Sequence, residues 1–159
     1  MAPIGAIAFQ GALLGAVATL AMDVVMRRRT EGMTPTYVAA SVLTRVAPER
    51  VSDRRAKVVH YASGMASGAL FLLLLEAAWA VFGIGGGGGW IGVALATAVS
   101  AGVLLAWLIG FFSLVVLPRY DQEMAAQRLE TIRRDWRAAA VTHVAALVVL
   151  WFTLALVLV

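Results

Sequence analysis

Apolar residues along this chain come in long uninterrupted blocks, with neither the short repeat of a surface helix nor the alternation of a strand. Four blocks stand out, at 4–26, 58–82, 90–117 and 138–159. Crossing a hydrocarbon core takes about 20 residues at 1.5 Å each, and every block meets that length. Lipid offers no partner to exposed backbone groups, so each block is expected as a helix; barrel strands would alternate over shorter segments. The expected fold is all-α: one polytopic domain over 1–159 with four transmembrane helices, arranged as a possible tandem pair of helical hairpins.

Basic residues set the orientation. Eight fall in 27–57 and five in 119–137, which accounts for all 13. Both segments lie on the same side of a four-span chain. The positive-inside rule makes that side cytoplasmic and leaves both termini outside. The first block has no charge before it and three arginines after it, the reverse of a cleavable secretory signal. A cell-membrane, multi-pass location follows. The net charge of +4 sits beside apolar blocks and reads as a membrane anchor, so no nucleic-acid partner is expected. There is no cysteine, which removes disulfides, thiolate metal sites and thiol catalysis.

The basic segments are not all loop. Thr34 and Pro35 can open a short helix that stops before Pro48, and Ser52 can cap the second span. Pro118 should end the third span. Ala125, Leu129, Ile132 and Trp136 then form one apolar stripe, expected to lie on the inner leaflet and, as the sharper alternative, to dock a soluble partner. Small residues recur every fourth position: Gly11, Gly15 and Thr19; Gly64 and Gly68; Ala98, Gly102, Ala106 and Gly110. Such stripes allow close backbone approach in lipid, and they place the third span centrally.

Polar residues inside the blocks fall in two layers. Asp23, His60, Ser113 and His143 all lie within about two turns of the basic side. Three readings compete there. Asp23 can pair with Arg27 while the histidines cap backbone. An Asp beside a His can handle protons. Two histidines can hold a haem between them, or join Asp23 in a zinc or copper site. The outer layer holds Gln10, Glu76, Thr97 and Thr153, each about 9–10 Å from its helix end. Glu76 is the costly member, because every Lys and Arg lies on the other side.

No phosphate loop, His-Glu-x-x-His or Gly-x-Ser-x-Gly is present. Nothing marks the chain as an enzyme. The run His60-Tyr61-Ala62-Ser63-Gly64, with Gly68 one turn on, and the run Ala18-Thr19-Leu20-Ala21-Met22-Asp23 before the arginines carry a resemblance. In these the chain resembles small four-helix integral membrane proteins of archaea and bacteria to which no activity is assigned. That resemblance implies the fold and no more. The residues point to an oligomeric transporter-like unit or a subunit of a larger membrane complex. The alternative is a membrane haem anchor for electron transfer using His60 and His143. The expected partners are the lipid bilayer and other membrane subunits, including copies of the same chain.

Overall fold

The computed structural model describes residues 3–81, 89–120 and 124–157. The chain forms α1 (Ile4–Arg27), α2 (Thr34–Thr44), α3 (Asp53–Val81), α4 (Gly89–Phe111) and α5 (Ala126–Val157). No strand forms among the described residues. Four of these helices are long and apolar enough to cross a membrane. The glycine-rich connection at 83–89 falls almost wholly outside the described residues.

Local chemistry explains the boundaries. Pro35 sits in the first turn of α2, where its missing N–H costs nothing. Arg45, in the left-handed region at φ 54°, stops that helix before Pro48. Ser52 caps α3 by accepting the Arg55 amide at 3.4 Å. Tyr37 donates to Asp53 at 2.6 Å and so ties α2 to the start of α3. That hydrogen bond to the carboxylate pushes the Tyr37 phenol above its ordinary range. The third long helix does not end at Pro118. It widens into a π segment at Phe112–Val116 and tightens into a 3-10 turn at Leu117–Tyr120. Proline clashes with the carbonyl four residues back, and the change of winding just before it relieves that clash.

α1 and α3 form the tightest pair, antiparallel and backbone to backbone. A Cβ added at Gly11 would lie 2.5 Å from the Gly68 carbonyl oxygen, and one at Gly68 would lie 2.6 Å from the Gly15 Cα. α5 packs on the other flank of α1, and α4 bridges α3 and α5. The shared core holds Ala18, Phe71, Leu104 and Leu147, one from each long helix.

Two expectations fail here. The third span is peripheral, not central: nothing lies within 4 Å of a Cβ added at Gly102 or Gly110, and Ala98, Gly102 and Ala106 face outward. The stripe of Leu129, Ile132 and Trp136 is covered from within the chain, with Leu129 and Ile132 buried. Residues 126–137 continue straight into the fourth long helix, a single rod of 32 residues and about 48 Å. Its stripe packs against Val38 of α2 and against Phe112, Leu117 and Tyr120. The same rod holds the α1–α2 linker: the Glu31 amide donates to Asp135 at 3.0 Å, and Arg128 pairs with Glu31 at 3.5 Å. A neighbouring element inside the chain thus takes the apolar face that lipid would otherwise have covered.

Candidate functional site

The polar residues near the basic end converge. Asp23 on α1 stands opposite two successive residues of α3. His60 Nε2 lies 2.6 Å from Asp23 Oδ1, and the Tyr61 hydroxyl donates to Oδ2 at 3.1 Å. Asp23 is 8% exposed and His60 7%. The short contact has the geometry of a charge-assisted bond. Asp23 therefore takes a histidine from another helix, and no ion pair joins it to Arg27 among the described residues. His60 Nδ1 makes no hydrogen bond among these residues. One ring nitrogen is thus fixed by a carboxylate and the other left free, the division of roles that orients a proton-transferring imidazole.

The close approach of α1 and α3 makes this contact possible. Thr19 fills the notch at Gly64 and returns its hydroxyl to the Gly15 carbonyl at 2.7 Å. One turn on, a side chain as short as Asp reaches across the gap.

His143, 2% exposed, meets a residue that the sequence did not single out. Its Nε2 lies 3.0 Å from Ser67 Oγ, while Ser67 also donates to the Ser63 and Gly64 carbonyls at 3.0 Å each. His143 Nδ1 is buried without a hydrogen-bond partner among the described residues. A serine beside a histidine suggests a nucleophile, but this one lies mid-helix. The backbone N–H groups around Ser67 are spent on their own helix, so none is free to hold an oxyanion. Ser67 could not have been found from sequence, because a serine in an apolar helix ordinarily bonds only its own backbone. Tyr61, by contrast, stood next to His60 in the motif.

No family model matches this chain, nor does any curated protein or solved structure. Function must therefore be read from the site itself.

The arrangement does not suit a haem. The void shared by His60 and His143 is about 30 Å³, the room of a single water, and both Nε2 atoms are already engaged. A haem is a broad macrocycle, far larger than that void. Nor do Asp23, His60 and His143 come together as a three-ligand metal group among the described residues. Ser113 lies in the π segment, half-buried, with its hydroxyl unpartnered.

The outer residues do not converge either. Thr97 and Thr153 each donate to their own helix, to the Val93 and Val149 carbonyls at 2.8 Å. Gln10 and Glu76 are exposed on the outside of the bundle, and Glu76 has no hydrogen bond among the described residues. The glycine register explains the difference. With Gly11 against Gly68, Ala69 is level with Gln10, and Glu76 stands two turns further on, level with Pro3. Equal distance from a helix end meant equal depth only if the ends were flush, and α3 overhangs the start of α1.

A larger cleft of about 310 Å³ opens on the flank where α2, α3 and α4 meet, with Trp136 of α5 at its back. His60, Ser63 and Ser67 border it. The Asp23–His60–Tyr61 network therefore sits at the edge of a space that a small molecule can enter.

Proposed function

We propose that the chain is a multi-pass membrane protein acting as an oligomeric transporter-like unit, with Asp23, His60 and Tyr61 as its proton-handling centre. The observation that carries this reading is the buried Asp23–His60 pair, held by Tyr61 and placed beside an open cleft. An imidazole bonded to a carboxylate through one nitrogen and free at the other has the arrangement of a proton relay. The outward faces left to neighbouring subunits are the Ala98–Gly102–Ala106 stripe and the surface around Glu76. Close-packed small residues and an unpaired acid both suit contact with another helix in lipid.

The test is proton entry into pyranine-loaded vesicles carrying the reconstituted protein, driven by a potassium gradient with valinomycin. Wild type is expected to acidify vesicles faster than empty controls. Asp23→Asn, which keeps the hydrogen-bond acceptor but cannot take up a proton at that site, is expected to fall to the empty-vesicle rate. A folded wild-type protein with no excess rate would sink the proposal.

The basic end, with residues 27–57 and 119–137, is proposed to face the cytoplasm. The cysteine-free sequence makes a clean check possible. Single cysteines at Gln127 and Gly87 are treated on intact cells with an impermeant thiol reagent. Labelling is expected at position 87 and absent at 127 until the membrane is opened; the opposite pattern overturns the orientation.

A further inference from the structure

The flank cleft carries an inference that does not depend on proton movement. Its lining contains no Lys, Arg, Asp or Glu among the described residues. A phosphate or carboxylate head would have no cation there to meet it, so the occupant is uncharged. Aromatic rings dominate one wall. Phe112 and Trp136 stack at 4.4 Å with planes 15° apart, and Trp107 and Phe111 stack at 5.8 Å and 24°. Trp107 is 58% exposed.

The polar groups gather at the basic end of the cleft. Thr36 lines it, is 2% exposed, and keeps its Oγ1 buried without a hydrogen-bond partner among the described residues. A buried hydroxyl left unpaired is unfavourable, and natural structures rarely tolerate one unless water or a ligand completes it. His60 and Ser63 also line the cleft, and neither His60 Nδ1 nor the Ser63 hydroxyl makes a hydrogen bond among the described residues. The two hydroxyls offer donors to an acceptor. At about 310 Å³ the cleft is at the small end for ligand pockets, which run to about 1,000 Å³. It has room for a substituted ring and the first carbons of a tail, with its open side leaving the rest of the tail outside.

We infer that this cleft binds an uncharged amphiphile with a planar ring head carrying carbonyl acceptors, of the quinone type. The ring lies against Trp107 and Trp136, and a carbonyl accepts from Thr36, whose hydroxyl turns into the cleft to meet it. A flat ring gains from the aromatic wall by offset stacking, which a saturated chain does not.

The probe is a decyl-substituted benzoquinone, titrated into the protein in nanodiscs and followed by quenching of tryptophan fluorescence. Saturable quenching at one site per chain is expected, above the linear quenching caused by probe dissolved in lipid. Thr36→Val, which keeps the shape and removes the hydroxyl, is expected to raise Kd about tenfold, the effect of losing one neutral hydrogen bond at a buried site. Ala66→Phe is expected to abolish the saturable phase by filling the cleft from an exposed wall position, without disturbing the core. Strictly linear quenching, an Ala66→Phe protein that binds like wild type, or an unchanged Kd in Thr36→Val overturns the inference. So does equal competition by decanol, which would make the cleft a general lipid groove. Probe binding without proton flux would sink only the transport reading, and flux without binding would sink only this one.

Discussion

Gly68→Leu abolishes the folded bundle, whereas Gly102→Leu leaves it intact. At Gly68 even a Cβ would stand 2.6 Å from both the Gly15 Cα and the Gly15 nitrogen. These are backbone atoms and cannot swing aside as a side-chain end can. The helices would have to separate, and separation undoes more than one contact. Thr19 would leave the notch at Gly64, and Asp23 would lose its reach to His60. The cost therefore exceeds the roughly 1–3 kcal/mol usual for overpacking a core. In the membrane setting proposed above, no hydrophobic force draws the helices back together, so dispersion and hydrogen bonding are what is lost. At Gly102 an added side chain meets open space within the chain, so the fold of the single chain is expected to change by no more than about 0.5 kcal/mol, while the subunit contact proposed at that stripe would weaken. Size-exclusion profiles and thermal melts in detergent separate the two. A Gly68→Leu protein that stays monodisperse with an unchanged melting temperature would show that the α1–α3 contact is not what holds the bundle.

The second large effect is at Asp23. Asp23→Ala is expected to destabilise the protein by about 3–5 kcal/mol, the range for breaking one side of a buried pair. The loss leaves His60 Nε2 and the Tyr61 hydroxyl without their acceptor, and His60 is nearly closed to solvent. His60→Ala alone should be comparably costly. The double variant should lose clearly less than the two single losses added together, because the second change removes a group already stranded by the first. Denaturation in mixed micelles across the four proteins measures this. Strict additivity would falsify the direct coupling.

What the sequence could reveal follows from what each signal measures. Apolar block length is a local quantity, and it located the four long helices to within a few residues at the ends of α1 and at the far end of α3. Proline and serine at 35 and 52 act on their own backbone, so α2 and the start of α3 were legible. Distance along a helix placed Asp23 and His60 in one layer, but it could not say which partner Asp23 would take. That choice depends on which helices touch. Gly102 and Gly68 sit in stripes of the same spacing, yet one faces outward and the other meets a backbone, a matter of helix order that no single stripe encodes. Glu76 shows the same gap from another side. Its depth depended on a register set by Gly11 and Gly68, not on the ends of its helix. The stripe at 129–136 was read correctly as apolar and wrongly assigned to lipid, since periodicity shows that a face is covered but not by what. Ser67 left no trace at all, because its second hydrogen bond depends on a residue 76 positions away.

The long α5 rod also bears on how the molecule is made. α5 is synthesised after α1 to α4, and it closes on α1: Ala139 packs against Met22 and Met26, and Asp135 reaches back 104 residues to Glu31. Until it emerges from the ribosome, α1 lacks one of its two main neighbours, and the cluster around Met26 is without Ala139 and Trp136. At about 5–20 residues per second, α1 waits roughly 5–20 s for the start of α5. A nascent chain stalled before residue 126 would display that uncovered methionine face, a surface that a chaperone or a membrane protease can recognise as unfinished work.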